Sequence, residues 1–335
     1  MMSEFDLIQR YFTRPTPSAT LGVGDDAALL RVGDGMQLAV STDMLVSGTH
    51  FFPDADPVLL GHKTLAVNLS DLAAMGAVPR WATLALALPY GKRPHPSPLP
   101  SGAGRVVDDA WLEQFSAGFF ALAEEYGVEL VGGDTTRGPL NLSVTIMGEV
   151  PQGAALRRDG AQADDDIWVS GTLGDAALAL AHLQDRIVLP PDVFAACAAR
   201  LHQPQPRVAL GLALRGVAHS AIDISDGLLA DLGHILERSR MGAEIQFDAL
   251  PRSAALRKCE SRALAQSCVL AGGDDYELCF TAPVARRAGI EKIPATLDVP
   301  LTRIGKIVAG NGCTVHAADG GAMQIKEQGY DHFAS

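Results

Sequence analysis

Carboxylates recur beside glycine or hydroxyl residues along this chain. "LGVGDDAAL" sets Asp25 and Asp26 behind Gly-x-Gly, "VNLSDLAAMG" carries Asp71, "VGGDTTRG" carries Asp134, "AIDISDGL" carries Asp223 and Asp226, and "AGGDDYEL" carries Asp274 and Asp275. A single Gly-Asp is usually a turn, because glycine supplies positive φ and aspartate bonds its own backbone. Five such clusters, most behind apolar runs that read as strands, exceed what turns require. Two carboxylates about 5 Å apart repel by about 3 kcal/mol at an effective dielectric of about 20, so they need solvent, a proton or a cation between them. Oxygen donors without thiolates suit a hard cation such as Mg2+, Mn2+ or Ca2+. Mg2+ takes few carboxylates per ion and leaves positions to water and phosphate, so a scattered aspartate set predicts several ions shared with a polyphosphate. The glycine pairs Gly132-Gly133 and Gly272-Gly273 let the backbone approach such a ligand and offer it N–H donors.

Other phosphate and hydrolase chemistries lack their residues. No Gly-x-x-x-x-Gly-Lys-Ser/Thr occurs, since Lys63-Thr64 follows only Gly-His, and "GVGDDA" is no dinucleotide fingerprint. There is no Gly-x-Ser-x-Gly and no His-x-x-x-His. Five cysteines without Cys-x-x-Cys spacing argue against a disulfide framework and a zinc site. A net charge of −12 opposes direct attraction to nucleic acid or an anionic membrane, so a phosphate ligand needs intervening cations. The start "MMSEFDLIQRYF" shows no basic region followed by an apolar one, and no apolar run reaches membrane-spanning length, so a cytoplasmic location is expected.

These side chains need elements to hold them. Hydrophobic residues at 47% exceed what a disordered chain carries, and 335 residues favour two domains. "FDLIQRYF" suits a short amphipathic helix, and "QLAVSTD" a strand arriving at Thr42 and Asp43. Leu65, Leu69, Leu72 and Gly76 step by three or four, predicting a helix that carries Asn68 and Asp71 and stops near Gly76. "WATLALALP" reads as a buried strand, "DDAWLEQFSAGFFALAEEYG" as a helix ended by Gly127, and "VELVGGD" and "LNLSVTIMGEV" as strands. The polar run "PQGAALRRDGAQADDD" after Val150 marks a boundary, giving domains 1–150 and 151–335. Beyond it, "DIWVSGTLGDAALALAHL" and "AIDISDGLLADLGHILERS" each read as strand, turn and helix, and "AEIQF", "YELCFT", "LTRIGKIV" and "CTVHA" as strands. Each half mixes strands and helices, an α/β class of the α+β type. The Pro/Gly-rich stretch from 89 to 107 reads as a surface insertion.

From "EFDLIQRYF" through "GVGDDAALL", "STDMLVSGTHF", "HKTLAVNLSDLAAMGA", "GGDTTRGPL", "AIDISDGLLADLGHI" and "GGDDYELCFT" to "GYDHF", the chain resembles the thiamine-monophosphate kinase family. That family belongs to the aminoimidazole-ribonucleotide-synthetase-like superfamily of ATP-binding proteins. The resemblance implies Mg2+-dependent transfer of the ATP γ-phosphoryl to thiamine monophosphate, giving thiamine diphosphate and ADP. It implies metal ligands at Asp26, Ser41, Thr42, Asp43, Asp71, Asp134, Asp223 and Asp226. It implies ATP contacts at Gly133, Asp134, Arg158 and Ser225, and thiamine phosphate contacts at His50, Asp274 and Tyr330. It further implies a homodimer formed through the sheet of the N-terminal domain, with the C-terminal domain covering the nucleotide. The acceptor is already an ionised phosphate oxygen, so no general base is expected, and Arg158 would screen charge during direct in-line transfer.

Two departures from the family pattern stand out. Asp274 occupies a place where the family has Glu, and its shorter side chain leaves the contact to pass through water or to Asp275 or Glu277. The stretch after "ALALPY" is longer than the pattern requires. Three other readings compete: a superfamily enzyme with a different acceptor, a metal phosphohydrolase, and a non-enzymatic divalent-cation-binding protein. The last would place ligands at close regular intervals, whereas these spread from Asp25 to Asp275.

Overall fold

The computed structural model describes residues 3–89, 107–325 and 329–330. Residues 90 to 106 of the Pro/Gly-rich stretch lie outside them. The chain forms two compact units, one of residues 1–72 and 78–152, the other of 73–77 and 153–335.

In the first unit a short helix α1 (Glu4–Leu7) continues into a π-helical turn at Ile8–Phe12. It is followed by β1 (Met36–Val46), α2 (Pro57–Ala74), β2 (Val78–Leu88), α3 (Asp109–Tyr126), β3 (Glu129–Arg137) and β4 (Asn141–Pro151). The sheet order is β1-β4-β2-β3. The strand β4 runs antiparallel to both neighbours, while β2 and β3 are parallel and joined across α3. Alternation in β4 does what period two dictates: Leu142, Val144 and Ile146 are buried and Ser143 and Thr145 half-buried. α3 starts on Asp108, whose side chain accepts from the Trp111 N–H at 2.9 Å, and ends at Gly127 with φ 65°. The two long helices approach at glycines: a Cβ on Gly118 would lie 2.0 Å from the Val58 carbonyl oxygen, and one on Gly61 2.1 Å from that of Phe115. The outward row of β1 is mostly apolar, with Leu38 40%, Val40 57% and Met44 54% exposed on either side of Thr42.

The second unit contains β5 (Asp166–Ser170), α4 (Asp175–Leu183), α5 (Pro191–His202), α6 (Val208–Leu214), β6 (Ser220–Asp223) and α7 (Leu228–Ser239). After these come β7 (Gly242–Gln246), α8 (Ala254–Arg257), α9 (Arg262–Ala271), β8 (Leu278–Ala282), β9 (Leu301–Val308) and β10 (Gly312–His316). Its sheet order is β10-β7-β9-β5-β8-β6, antiparallel except for the β10/β7 pair. Every residue of β5 and β8 is buried, as expected of central strands covered on both faces. α7 buries Leu228, Leu232, Ile235 and Leu236 and exposes His234, Glu237 and Arg238, an amphipathic pattern. The helices α5, α6 and α9 go beyond the elements read from the sequence. Mixed sheets and helices in both units make the fold α/β, the class read from the sequence. Among the described residues no helix is long and apolar enough to cross a membrane, and the five cysteines are free thiols.

Candidate functional site

In the first unit the segment before β1 carries Asp25 and Asp26 and is tied to the sheet at Ser18. The Ser18 N–H donates to the Glu129 carboxylate at 2.9 Å, and the Trp81 indole N–H donates to Ser18 Oγ at 2.8 Å. Leu21 and Leu29 then pair, the Leu29 N–H reaching the Leu21 carbonyl at 2.9 Å, which closes the turn holding both aspartates. Asp25 Oδ1 accepts the Asp26 N–H at 2.9 Å. Both residues border a cavity of about 570 Å³, together with Glu4, Gly133 and Asp134, and among the described residues no lysine, arginine or histidine lines it. An acidic wall without a basic counterpart is suited to cations.

Gly133 is where this geometry demands glycine. Its φ is 151°, and a Cβ there would lie 1.9 Å from the Leu84 carbonyl oxygen of β2. With Gly133 pressed against β2, Asp134 follows opposite Ala85.

A second oxygen group forms where α2 meets β1. Strand parity puts Ser41 and Asp43 on one face and Thr42 on the other. The Ser41 hydroxyl donates to Asp71 Oδ2, and the Asp43 N–H donates to Asn68 Oδ1 at 3.2 Å. Asn68 in turn donates to the Thr64 carbonyl at 3.0 Å, one helical turn back. The Thr42 hydroxyl instead meets that of Thr145 at 2.8 Å on the opposite face. His50 Nδ1 accepts the Val46 N–H at 3.0 Å, which puts the proton of the neutral ring on Nε2.

In the second unit the ends of β6 and β8 continue as a ladder. The Ile224 N–H donates to the Glu277 carbonyl, the Tyr276 N–H to the Ile224 carbonyl and the Asp274 N–H to the Ser225 carbonyl, each at 2.8 Å. The Tyr330 N–H donates to the Asp226 carbonyl at 3.0 Å. Asp223, Ser225, Asp226, Asp274 and Tyr330 are therefore gathered at one end of the sheet. Arg158 is not with them. Its carbonyl accepts the Ser239 hydroxyl at 3.0 Å beside the last turn of α7, and its side chain borders a surface cleft with His234, Glu237, Arg238 and Arg240. The helix between that point and Gly227 has 12 residues, about 18 Å at about 1.5 Å per residue. Its neighbour Arg157 pairs with Asp159 at 2.8 Å. In the acidic run, Asp165 is met by His219 at 2.9 Å and Asp166 by Arg287 at 2.8 Å.

Three buried carboxylates escaped the sequence reading as structural parts. Asp231 Oδ2 accepts the N–H groups of Ser225, Asp226 and Gly227 at 3.0, 3.1 and 3.1 Å. Burial, then the charges of Asp223 and Asp226, push its carboxyl up to about 7. Asp275 is buried and accepts the Gly174 N–H with both oxygens, at 3.0 and 2.9 Å, and burial raises its carboxyl well above the ordinary range. Glu277, with no exposed surface, accepts from Ser170 Oγ at 2.5 Å, from Arg207 at 2.6 and 2.5 Å, and from Arg200. The acceptors of Asp275 and Glu277 are thus engaged inside the unit, whereas Asp274 sits half-buried in a left-handed turn at φ 67°. A signal for Asp231 exists in "SDGLLAD", an acid four residues after the glycine that opens a helix. The Glu277 contacts span 70 to 107 residues and leave no local trace.

Among the described residues no three His, Cys, Asp or Glu side chains converge on one ion. Pairs and singles with adjacent hydroxyls remain, and that donor set fits Mg2+, which takes one or two carboxylates and completes its shell with water and phosphate oxygens.

A model of the family described as AIR synthase related protein, N-terminal domain, matches residues 24–150. The thiamine-monophosphate kinase of Salmonella typhimurium is 46% identical, covering 99% of this chain and 98% of that relative. The crystal structure of thiamine-monophosphate kinase from Stenotrophomonas maltophilia K279a matches with a TM-score of 0.81 and 51% identity, covering 91% of this chain and 92% of that one. A structure of AaThiL complexed with AMPPCP and TMP matches with a TM-score of 0.74 and 30% identity, covering 90% and 89%. Identity at this level over nearly the whole length shows that the chain belongs to the thiamine-monophosphate kinase family and is a kinase.

Proposed function

We propose that this enzyme transfers the γ-phosphoryl group of ATP directly to the phosphate of thiamine monophosphate, giving thiamine diphosphate and ADP in a magnesium-dependent reaction. The observation that carries the reading is the cavity bordered by Asp25, Asp26, Gly133 and Asp134, on whose wall no basic side chain stands among the described residues. A bare triphosphate would be repelled there, and a cation-clad one attracted. The relative complexed with AMPPCP and TMP adds support for the two substrates.

Asp26, Asp43, Asp71, Asp134, Asp223 and Asp226 would hold the ions, with Ser41 and the carbonyl oxygen of Thr42. Bound Mg2+ would neutralise the phosphates and weaken the repulsion that forms most of the barrier between two anions. The chain's own part is placement. Ser41 fixes one oxygen of Asp71, and Asn68 fixes the backbone at Asp43. Gly133, Asp134 and Ser225 would take the nucleotide, whereas Arg158, held beside the last turn of α7, lies too far from Ser225 to screen the transferring group. For the thiamine phosphate, His50 can offer its Nε2 proton as a donor, alongside Asp274 and Tyr330. Residues 1–150 would serve as the metal, ATP and dimerisation domain and 151–335 as the domain covering the nucleotide. The exposed apolar row Leu38, Val40 and Met44 supports a homodimer through this sheet face. The enzyme would work in the cytoplasm.

The test is an assay of purified protein with ATP, Mg2+ and thiamine monophosphate, products separated by chromatography. Thiamine diphosphate and ADP in equal amounts, abolished by EDTA, are expected. Inorganic phosphate released without thiamine diphosphate would make the protein a hydrolase and overturn the proposal.

A further inference from the structure

We infer that Asp231 is a positioning residue: it fills, with the protein's own carboxylate, the backbone N–H nest at the start of α7, and so reserves the Ser225–Gly227 loop for cations. The inference rests on the function proposed above and deepens it. Three consecutive N–H groups aimed at one point, in front of a helix N-terminus, ordinarily seat a phosphate or another anion. Here that point is taken by Asp231 Oδ2, with all three contacts between 3.0 and 3.1 Å and the side chain 3% exposed. Gly227, which begins α7, brings no side chain of its own to cap the helix. The loop's path admits little else. Gly227 has φ 122°, and a Cβ on it would lie 2.7 Å from the Ala271 backbone.

Two consequences follow for the loop's ligands. The Ser225 N–H is given to Asp231 and its carbonyl to the Asp274 N–H, so the hydroxyl is the group it can present to a nucleotide. Asp226 has its N–H bound to Asp231 and its carbonyl to Tyr330, which fixes the backbone from which its carboxylate projects. Asp231 therefore acts through Asp226 and Ser225, as outer partners of metal ligands commonly do.

The experiment compares wild type with Asp231→Asn, which keeps the shape and removes the charge, and Asp231→Ala, which opens the nest. Mn2+ binding is titrated by electron paramagnetic resonance with a non-hydrolysable ATP analogue present, and kinetics are run against Mg2+ and added inorganic phosphate. Loss of the outer partner is expected to weaken Mn2+ binding and raise the Mg2+ requirement about 10- to 100-fold, with KM for thiamine monophosphate unchanged. Inorganic phosphate is expected to inhibit Asp231→Ala competitively with ATP at concentrations harmless to wild type. A lowered melting temperature with wild-type Mn2+ affinity and no phosphate sensitivity would assign Asp231 a merely structural role and overturn the inference. If Asp231→Ala does not fold, the isosteric Asn variant carries the metal titration. A wild type that binds Mn2+ but makes no thiamine diphosphate would sink the proposed function and leave this inference standing.

Discussion

Replacing Glu277 by glutamine removes the carboxylate charge that pairs with Arg200 and Arg207 inside the second unit. The carboxylate has no exposed surface, and the side chains of Arg200 and Arg207 are 22% and 15% exposed. Breaking one side of a buried ion pair costs about 3–5 kcal/mol, because the remaining charges lose their partner in a low-dielectric place. Both arginines retain some water, which puts the expected cost at the lower end, about 3 kcal/mol. A domain of roughly 150–250 residues loses about 2–4 °C of melting temperature per kcal/mol, so a fall of about 6–12 °C is expected. Arg207 supplies two contacts at 2.6 and 2.5 Å, so Arg207→Ala is expected to cost more than Arg200→Ala. Far-UV circular dichroism melts measure the stability, and KM for thiamine monophosphate is determined well below every midpoint. An unchanged KM with a lowered midpoint is expected. A wild-type midpoint with a raised KM would refute the reasoning, because Glu277 would then be a substrate ligand and not a clamp.

Asp71→Asn and Asp134→Asn are expected to lower kcat at least about 100-fold, as loss of a group that stabilises transferring charge does, while folding normally, since each relieves carboxylate crowding. Wild-type turnover by either at saturating Mg2+ would remove that residue from the metal set. Gly133→Ala combines a backbone conformation costing about 1–3 kcal/mol for a non-glycine residue with overpacking worth about 1–3 kcal/mol, so both stability and activity are expected to fall; a fully active, equally stable variant would show that β2 yields freely. Burial pushes the thiols of Cys197 and Cys268 up to about 12 and raises Cys279 further, so native protein treated with iodoacetamide is expected to be labelled first at the partly exposed Cys259. Mass spectrometry of timed samples decides the order, and early labelling of Cys268 would contradict it.

Much of this molecule is legible in its sequence, for identifiable reasons. The period-two alternation of β4 and the leucine steps of α2 are local signals of burial, and the structure places both elements where they predict. Asp71 falls on the helix end that the spacing assigned, against Ser41. Strand parity separates Thr42 from Ser41 and Asp43, so the three adjacent residues cannot offer their side chains together. What the sequence conceals is non-local. The contacts of Glu277 with Ser170 and Arg207, and of Asp275 with Gly174, join segments 70 to 107 residues apart. Asp275 and Glu277 read like Asp274 as members of one acidic run, yet burial gives them structural roles. The strip Ala73–Ala77 belongs with the second unit although it lies deep in the first half of the chain, and no composition shift marks it.

Trp81 is 2% exposed, and its indole N–H is engaged by Ser18, which also holds Glu129 and anchors the segment bearing Asp25 and Asp26. The enzyme thereby carries a built-in optical reporter. The other two tryptophans sit elsewhere, Trp111 stacked on Phe115 at 5.0 Å and Trp168 on Phe280 at 6.4 Å, and phenylalanine in their places would leave a single emitter. Its emission would follow, without any added dye, whether the tether at Ser18 holds or slackens as ions arrive.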